Sequence, residues 1–312
     1  MDRTLIEDLR SIVGDRWIVL EKESIEGYLL DETPDVVRPQ PNFEVVVVKP
    51  SNAEEISQIL KVANKRKVAV YPVGGRTGLV GGSIPTKPGI IISLERLRRI
   101  EVDKENLMAV VEAGVTLGDL IRAAEDAGLS FPLHPGDEGA FVGGLVATNA
   151  GGARAVKYGV MRNYVKGVVV VLPTGEIVKL GGKLIKNNTG YNLMHLIIGS
   201  EGTLGIITEA TLKLYPKMKY SVTLIAPFKS RREAIGVVPK ILQSGVTPLA
   251  IEYIELEDIL KAAEHLNERW PVEKGFSQLI LILTDVSEDS LYMQAEEIER
   301  ICNEVSKHRR ED

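Results

Sequence analysis

The sequence predicts an α+β fold built from two unlike parts, and three observations carry that prediction. Of the 29 glycines, 24 lie between Gly74 and Gly205, and only three follow Gly205. Within the first part, apolar strand-like runs alternate with amphipathic helical stretches. The 312 residues are enough for two domains at roughly 150 residues each. We expect one domain over residues 1–217 and a second over residues 218–312.

Charge and cysteine content exclude several classes of protein. The 38 basic and 43 acidic side chains give a net charge of −5, which argues against a nucleic-acid-binding face. Cys302 is the one cysteine, which excludes an intramolecular disulfide, a four-cysteine zinc site and an iron–sulfur cluster. No apolar run approaches the roughly 20 residues of a membrane-spanning helix. We therefore expect a cytoplasmic protein with no nucleic-acid partner and no membrane span.

Periodicity and capping residues predict the elements of the first part. Ser51 is expected to cap a helix that follows a strand, with Glu54 completing a capping box. Thr116 is expected to cap a later helix, with Asp119 at its third position. The remaining predicted elements are an amphipathic helix over 1–14, strands over 44–48, 67–73, 89–94 and 107–113, a hairpin of strands 165–172 and 176–180, a short helix over 191–198, and a strand ending near Leu214.

The second part has the pattern of an α+β layer with little glycine. Its apolar alternation ends without a further strand, so we expect this layer to be a partial one. The predicted strands cover 220–227, 248–254 and 277–285, and the predicted helices cover 230–243, 256–268 and 289–307.

The segment from Gly74 to Ser83 contains five glycines in ten residues and directly follows a predicted strand. Such a backbone can turn several N–H groups toward one point, and this arrangement would bind phosphate oxygens. The same composition is equally compatible with a glycine-rich turn that binds nothing. A Rossmann fingerprint would need a helix directly behind the glycines, whereas Pro85 and Pro88 lead into a strand. A Walker loop would need Gly-Lys-Ser/Thr, which the segment lacks.

Two later segments are also glycine-rich. One runs from Pro135 to Gly152 with a short helical stretch between its glycine pairs, and the other runs from Gly199 to Gly205 with Glu201 inside it. Glycine loops so far apart in sequence predict a ligand held from two sides.

In this order the segments resemble the FAD-linked oxidases of the vanillyl-alcohol-oxidase (p-cresol methylhydroxylase) fold, in the branch of D-lactate dehydrogenases and glycolate oxidase flavin subunits. The similarity covers about residues 35–216. It implies a two-subdomain FAD-binding domain of the p-cresol methylhydroxylase type, followed by a partial α+β substrate or cap domain. The motifs are Gly-Gly-Arg-Thr-Gly-Leu from Gly74, Val-Gly-Gly from Val142, Asn-Ala-Gly-Gly from Asn149, Lys-Tyr-Gly from Lys157, and Gly-Ser-Glu-Gly-Thr-Leu-Gly-Ile-Ile-Thr from Gly199.

The resemblance implies non-covalent FAD, because Arg76 stands where relatives with a histidyl flavin carry the linking histidine. It places the first loop around the phosphates, the second segment along the ribityl chain and flavin, and Gly205 with Ile206 near adenine. The cofactor-binding residues so implied are Pro72, Gly74, Gly75, Arg76, Thr77, Gly78, Leu79, Gly81, Gly82, Ser83, Pro135, Gly136, Asp137, Val142, Gly143, Gly144, Thr148, Asn149, Gly151, Gly152, Tyr158, Gly159, Glu201, Gly205 and Ile206.

The four histidines do not indicate a metal centre. His134 either approaches the flavin or has no catalytic role, and His195, in a short apolar helix, is interpreted as a core or edge residue. His265 and His308 lie in the weakly patterned C-terminal part. Because no two histidines have the close spacing of a metal-binding pair, we expect no metal ligand set.

Charged residues near the glycine segments leave alternatives open. Arg76 either offsets phosphate charge or faces solvent. Asp137 and Glu138 either form a general-base pair or cap the following turn. Lys183 and Lys186, beside two asparagines, form either a solvated strip or a basic approach to an anionic substrate.

The resemblance implies oxidation of a small 2-hydroxy acid, of the D-lactate or glycolate type, by hydride transfer to flavin. In the family, a histidine metal cluster, a Gly-Asp-Gly-Asn-Leu-His-like segment and substrate-binding arginines belong to a C-terminal region absent from this sequence. No catalytic residue is therefore assigned, and a second polypeptide is expected to supply that region or to accept electrons. Two alternatives stay open: an FAD-carrying electron-transfer subunit without a substrate site, and an enzyme like UDP-N-acetylenolpyruvylglucosamine reductase, which the segment from Gly199 disfavours.

Overall fold

The computed structural model describes residues 2–307 and separates them into two compact units. The first unit contains the residues up to Ala150 together with Val160–Pro216. The second unit contains Gly151–Gly159 and the residues from Lys217 onward. A short piece of the glycine-rich sequence therefore belongs to the second unit.

A four-stranded sheet forms the N-terminal half of the first unit. Its strands are β1 (Ile18–Val19), β2 (Val45–Val48), β3 (Ala69–Val73) and β4 (Gly89–Ser93). They lie in the order β1-β2-β4-β3, with β2, β3 and β4 parallel and β1 antiparallel. All four valines of β2 are buried, as expected for a parallel strand covered on both faces.

Helices cover both faces of this sheet. They are α1 (Arg3–Val13), α2 (Lys22–Glu26) and α3 (Ala53–Arg66). Helices α1 and α3 bury Leu5, Leu9, Ile56 and Ile59 in a core that includes Val46 of β2. On the other face, a smaller core joins the helix α2 and its C-terminal turn to β2 and β4.

The predicted capping box at the start of α3 was wrong by one residue. Asn52 is the N-cap, and its side chain accepts a hydrogen bond from the N–H of Glu55 at 2.8 Å. Ser51 lies one residue earlier and donates its hydroxyl to the Glu55 carboxylate at 2.8 Å. Serine and asparagine are about equally good caps, so their order in the sequence could not decide between them.

A five-stranded antiparallel sheet forms the rest of the first unit. Its strands are β5 (Ile100–Asp103), β6 (Met108–Glu112), β8 (Val165–Val171), β9 (Ile177–Gly181) and β10 (Ile206–Lys213), and β7 (Leu129–Ser130) pairs separately with β11 (Tyr215–Pro216). The order is β5-β6-β10-β8-β9. The predicted hairpin is the β8–β9 pair, whereas β5 was not predicted.

Short helices connect these strands. In the first unit they are α4 (Leu117–Asp126), α5 (Val142–Ala147), α7 (Met161–Tyr164) and α8 (Met194–Ile197), and α6 (Ala155–Tyr158) belongs to the second unit. Thr116 caps α4 as predicted, accepting from the N–H of Asp119 at 3.1 Å. The helix predicted over 191–198 is shorter, because only α8 is helical there.

The second unit is a three-stranded antiparallel sheet with helices. Its elements are β12 (Tyr220–Phe228), α9 (Arg231–Gln243), β13 (Ala250–Glu255), α10 (Leu256–His265), β14 (Ser277–Asp285) and α11 (Glu288–Lys307). The order is β12-β14-β13, and alternate residues Leu279, Leu281 and Leu283 of the central strand pack with α9 and α11. Both units mix helices with sheets, which confirms the predicted α+β class. None of the helices described here is long and apolar enough to cross a membrane.

Candidate functional site

A cavity of about 260 Å³ lies in the first unit, where the loop after β3 faces the segment that contains α5. Two glycine-rich segments distant in sequence therefore line one cavity, together with Glu201 of the third. The lining residues are Asp31, Pro72, Gly74, Gly75, Arg76, Thr77, Gly78, Val80, Gly82, Ser83, Pro135, Asp137, Ala140, Phe141, Gly144, Leu145, Ala147, Thr148, Ala150 and Glu201.

A narrower slot of about 60 Å³ adjoins this cavity and shares several of its residues. Gly143, Gly205 and Ile206, which were predicted to bind the cofactor, lie on the slot. The N–H of Glu201 donates to the carbonyl of Ala147 at 2.8 Å, so the third glycine segment is fixed to the end of α5.

Other predicted residues lie outside these linings. The side chain of Leu79 is 63% exposed, and Val142 is buried in the core. The amide oxygen of Asn149 accepts from the N–H of Arg162 at 2.9 Å. Gly151, Gly152, Tyr158 and Gly159 belong to the second unit, while Gly81 and Gly136 occupy turns with φ of 72° and 107°.

The glycines of the site serve two different purposes. A Cβ at Gly75 would lie 2.6 Å from the carbonyl oxygen of Gly139, and one at Gly143 would lie 2.7 Å from the Cβ of Ala113. These two glycines permit close approach of neighbouring chain segments. In contrast, among the residues that the structure describes, a Cβ at Gly144 would meet nothing within 4 Å outside the backbone of its own helix, and one at Gly78 would meet only Asp31. Gly78 and Gly144 leave the cavity open.

The loop Gly74–Ser83, most of which lines the cavity, has backbone N–H groups that other protein groups do not use. Within the part of the chain that is described, the N–H groups from Gly75 through Ser83 donate to no other protein group. Consecutive N–H groups in a turned backbone form a concave site that favours anions such as phosphate. The loop therefore has the donors and the space that a diphosphate requires.

Three residues around the site have a left-handed backbone although they are not glycines. Arg76, Asn149 and Glu201 have φ of 61°, 51° and 53°. Positive φ is unfavourable for most side chains, and such residues cluster where the surrounding structure enforces a functional geometry. Two of the three, Arg76 and Glu201, lie on the cavity lining.

Arg76 is the single lysine or arginine among the described residues that line the cavity, and an aromatic ring lies against its guanidinium. Its Cζ lies 5.0 Å from the ring centroid of Tyr28, whose hydroxyl donates to Glu95 at 3.0 Å. Glu95 in turn pairs with Lys49 at 2.7 Å. Burial alone raises the pKa of Glu95, but the hydrogen bonds from Lys49, Ser93 and Tyr28 outweigh it and hold that pKa below its usual value. Glu95 is thus an anion that fixes the ring beneath Arg76.

The carboxylates near the site differ in their hydrogen bonds. Asp137 accepts from the N–H of Gly139 at 2.6 Å, which agrees with a capping role.

Sequence analysis missed Asp31, which is only 8% exposed and lines the cavity. An acidic residue in a polar loop carries no pattern that indicates burial, so no signal in the sequence could have identified it.

The remaining polar candidates are not brought to the cavity. His134 Nε2 lies 3.5 Å from Glu138 Oε1. His195 is exposed, which excludes the core and leaves the edge position of the two alternatives. Lys183 donates to Glu101 and Asp103, and these bonds raise its pKa. His308 lies outside the described residues, among which no cluster of histidine, cysteine and carboxylate side chains could hold a metal ion.

Comparison with known proteins identifies two families in the chain. Residues 45–181 match the FAD binding domain family, and residues 217–310 match the family of FAD linked oxidases, C-terminal domain. Both families are described by their link to FAD, and the two matched segments follow one another along the chain. The cavity fits this assignment, because its free N–H groups and open glycines suit the diphosphate of FAD.

Two relatives and one solved structure define the similarity further. The chain is 46% identical over 263 residues to D-lactate dehydrogenase of Archaeoglobus fulgidus, covering 84% of this chain and 59% of the relative. It is 37% identical over 277 residues to glycolate oxidase subunit GlcD of Bacillus subtilis, covering 88% and 58%. The chain thus spans a little over half the length of these relatives. A crystal structure of p-cresol methylhydroxylase with substrate bound has the same fold, with a TM-score of 0.73 at 15% identity over 97% of this chain and 64% of that one.

Proposed function

We propose that this chain, a member of the FAD-linked oxidases, binds FAD non-covalently with the diphosphate against the loop Gly74–Ser83. The run of unpaired N–H groups on an open cavity wall carries this proposal. A volume of about 260 Å³ is below the usual range for a whole drug-sized ligand, so the cavity would hold one section of an extended cofactor. Residues 1–217 would form the FAD-binding domain and residues 218–312 the substrate domain.

Particular residues would hold particular parts of the cofactor. The N–H groups of the loop would donate to the phosphate oxygens, and the guanidinium of Arg76 would offset their charge. Gly144 and Thr148 would lie along the ribityl chain, and Gly205 with Ile206 would line the slot for adenine. No histidine or cysteine lines the cavity among the described residues, so neither residue type could link to the section of the cofactor held there.

We propose that the reaction is oxidation of a small 2-hydroxy acid of the D-lactate or glycolate type. The names of the relatives support this substrate class. When bound, FAD supplies the acceptor for the hydride that leaves the substrate Cα. The protein would orient the acid and remove the hydroxyl proton, but the described residues offer no base whose place in the cavity singles it out.

A second polypeptide is part of this proposal. The matched relative from Bacillus subtilis is named as a subunit of glycolate oxidase, which supports a partner that completes the catalytic site or accepts electrons. If the purified chain turned over D-lactate or glycolate with an artificial electron acceptor at enzymatic rates by itself, a completing partner would not be needed.

Anaerobic reduction of bound flavin tests the proposed function. The full chain is loaded with FAD, and its absorbance near 450 nm is followed during titration with D-lactate, L-lactate and glycolate. Bleaching by one of these acids supports the oxidase. Bound flavin that dithionite reduces but no hydroxy acid reduces would instead favour an electron-carrying subunit. A protein that takes up no FAD would contradict both.

A further inference from the structure

A carboxylate outside the glycine motifs lies on the cavity wall with one oxygen unused. Asp31 Oδ1 accepts from the N–H of Thr33 at 3.1 Å, whereas Oδ2 is buried and has no partner among the described residues. A buried polar group without a partner costs about 1–3 kcal/mol, and more when it is charged. The Oδ2 oxygen is thus placed for a ligand, because it makes no hydrogen bond that stabilises the fold.

The position of Asp31 restricts what the ligand can be. A Cβ at Gly78 would lie 3.5 Å from Oδ2, so this oxygen faces the middle of the loop Gly74–Ser83. The cation on the lining, Arg76, forms no ion pair with Asp31. Because a carboxylate repels a phosphate directly, the ligand must present a hydrogen-bond donor to Asp31 close to its own negative charge.

We propose that Asp31 accepts a hydrogen bond from a sugar hydroxyl of the flavin dinucleotide, either on the ribityl chain or on the ribose. This inference rests on the proposed binding of FAD. Both hydroxyl-bearing groups are joined directly to the diphosphate, and carboxylates bind ribose hydroxyls next to glycine loops in other dinucleotide folds. Asp31 is therefore a specificity-determining residue that requires a hydroxyl donor beside the phosphates. It also explains why position 78 has no side chain, since a side chain there would stand between the loop and the carboxylate.

Binding measurements on the full chain test this assignment. FAD is titrated into flavin-free protein and the dissociation constant is read from flavin fluorescence. Asp31→Asn keeps the shape of the side chain and removes its charge, and we expect affinity to fall about 10- to 100-fold, as for loss of a hydrogen bond to a charged group. Asp35→Asn is the matched control, because the Asp35 side chain is 86% exposed, pairs with Arg38 and does not line the cavity.

Cofactor analogues identify the hydroxyl. FAD analogues that lack one ribityl hydroxyl, or one ribose hydroxyl, are titrated into the wild-type chain and the Asp31→Asn variant. For the analogue without the contacted hydroxyl, the two proteins should bind equally, because the bond is already gone. An equal affinity ratio for every analogue would overturn the assignment. So would FAD binding that EDTA abolishes in the wild type alone, since a divalent cation would then bridge Asp31 and the phosphates.

Stability of the flavin-free protein separates a ligand-binding role from a structural one. Removing an unsatisfied buried charge should leave the midpoint of thermal unfolding unchanged or raise it, while FAD affinity falls. If the Asp31 carboxylate instead supported the fold, Asp31→Asn would lower both the midpoint of thermal unfolding and the FAD affinity. If the wild-type chain bound no FAD, the proposed function would fail together with this inference. If it bound FAD and Asp31→Asn did so equally well, only the assignment of Asp31 would fail.

Discussion

The cavity wall of the first unit and the helix-covered sheet of the second unit are built by opposite means. In the wall, Gly78 and Gly144 keep space open by having no side chain. In the sheet, Leu279, Leu281 and Leu283 fill the space between β14 and its helices. A side chain added to the wall should therefore cost binding, and a side chain removed from the sheet should cost stability. Substitutions in the two regions separate these two properties.

The largest effect is expected in the second unit. Leu281 is completely buried in the central strand, so Leu281→Ala should lower the free energy of unfolding by about 2–5 kcal/mol. Calorimetry measures this loss. FAD affinity, measured well below the unfolding temperature, should stay within about twofold of the wild type. A parallel collapse of FAD affinity would contradict the separation of the two regions.

The next effect is expected at the open part of the wall. Gly144→Val places a branched side chain in the cavity, and FAD affinity should fall on the order of 100-fold because cofactor and side chain cannot share the space. Fluorescence titration measures the affinity. Gly236→Val is the matched control: Gly236 is also a helical glycine whose added Cβ would meet nothing within 4 Å, but it lies in α9. If both variants bound FAD equally, the cavity would be wrongly assigned.

A smaller effect on folding is expected where a glycine of the wall is closely packed. Gly75→Ala brings a Cβ to 2.6 Å from a backbone oxygen, which cannot rotate away, so stability should fall by about 1–3 kcal/mol. Gly74→Ala is the comparison, since its Cβ would lie 3.4 Å from the Cβ of Phe141, which is an ordinary van der Waals distance. Urea unfolding of the two flavin-free variants ranks them. If Gly74→Ala lowered the free energy of unfolding more than Gly75→Ala, this account of the loop packing would be wrong.

The smallest effect is expected at Glu95, the carboxylate that fixes the Tyr28 ring beneath Arg76. Glu95→Gln should lower stability at pH 7 by about 1 kcal/mol, since it weakens charged hydrogen bonds that are partly open to solvent. The folded-state pKa of Glu95 is lowered, so its contribution is present above the ordinary pKa and is lost as pH falls through the folded value. The stability difference between the two proteins should thus shrink as the pH falls below the ordinary pKa of glutamate. A difference that grew on acidification would contradict this sign.

Sequence patterns predicted the parts of the fold whose side chains are buried in a regular way. β2 and β4 are uninterrupted apolar runs because both of their faces are covered. β5 escaped prediction because it lies at a sheet edge and its charged residues resemble a loop. The sequence also could not predict that Gly151–Gly159 belongs to the second unit, because that assignment depends on contacts between residues far apart in sequence.

Only the parts of the site that are built from glycine-rich loops were predictable from the sequence. The three motifs indicated which loops line the cavity, because a wall made of backbone needs glycine at several nearby positions. They could not distinguish Gly144, which faces the cavity, from Gly143, which packs against Ala113. Asp31 and the ring of Tyr28 beneath Arg76 reach the site from a different loop, and their roles follow only from three-dimensional geometry.

Titration of the purified full chain with FAD, followed by acid precipitation, tests the central claim most directly. The claim is that the cavity of the first unit holds FAD without a covalent bond. It predicts uptake of one FAD per chain with a shifted flavin spectrum, and release of all the flavin into the supernatant after trichloroacetic acid treatment. A chain that takes up no FAD, or a precipitate that retains yellow flavin, would contradict it.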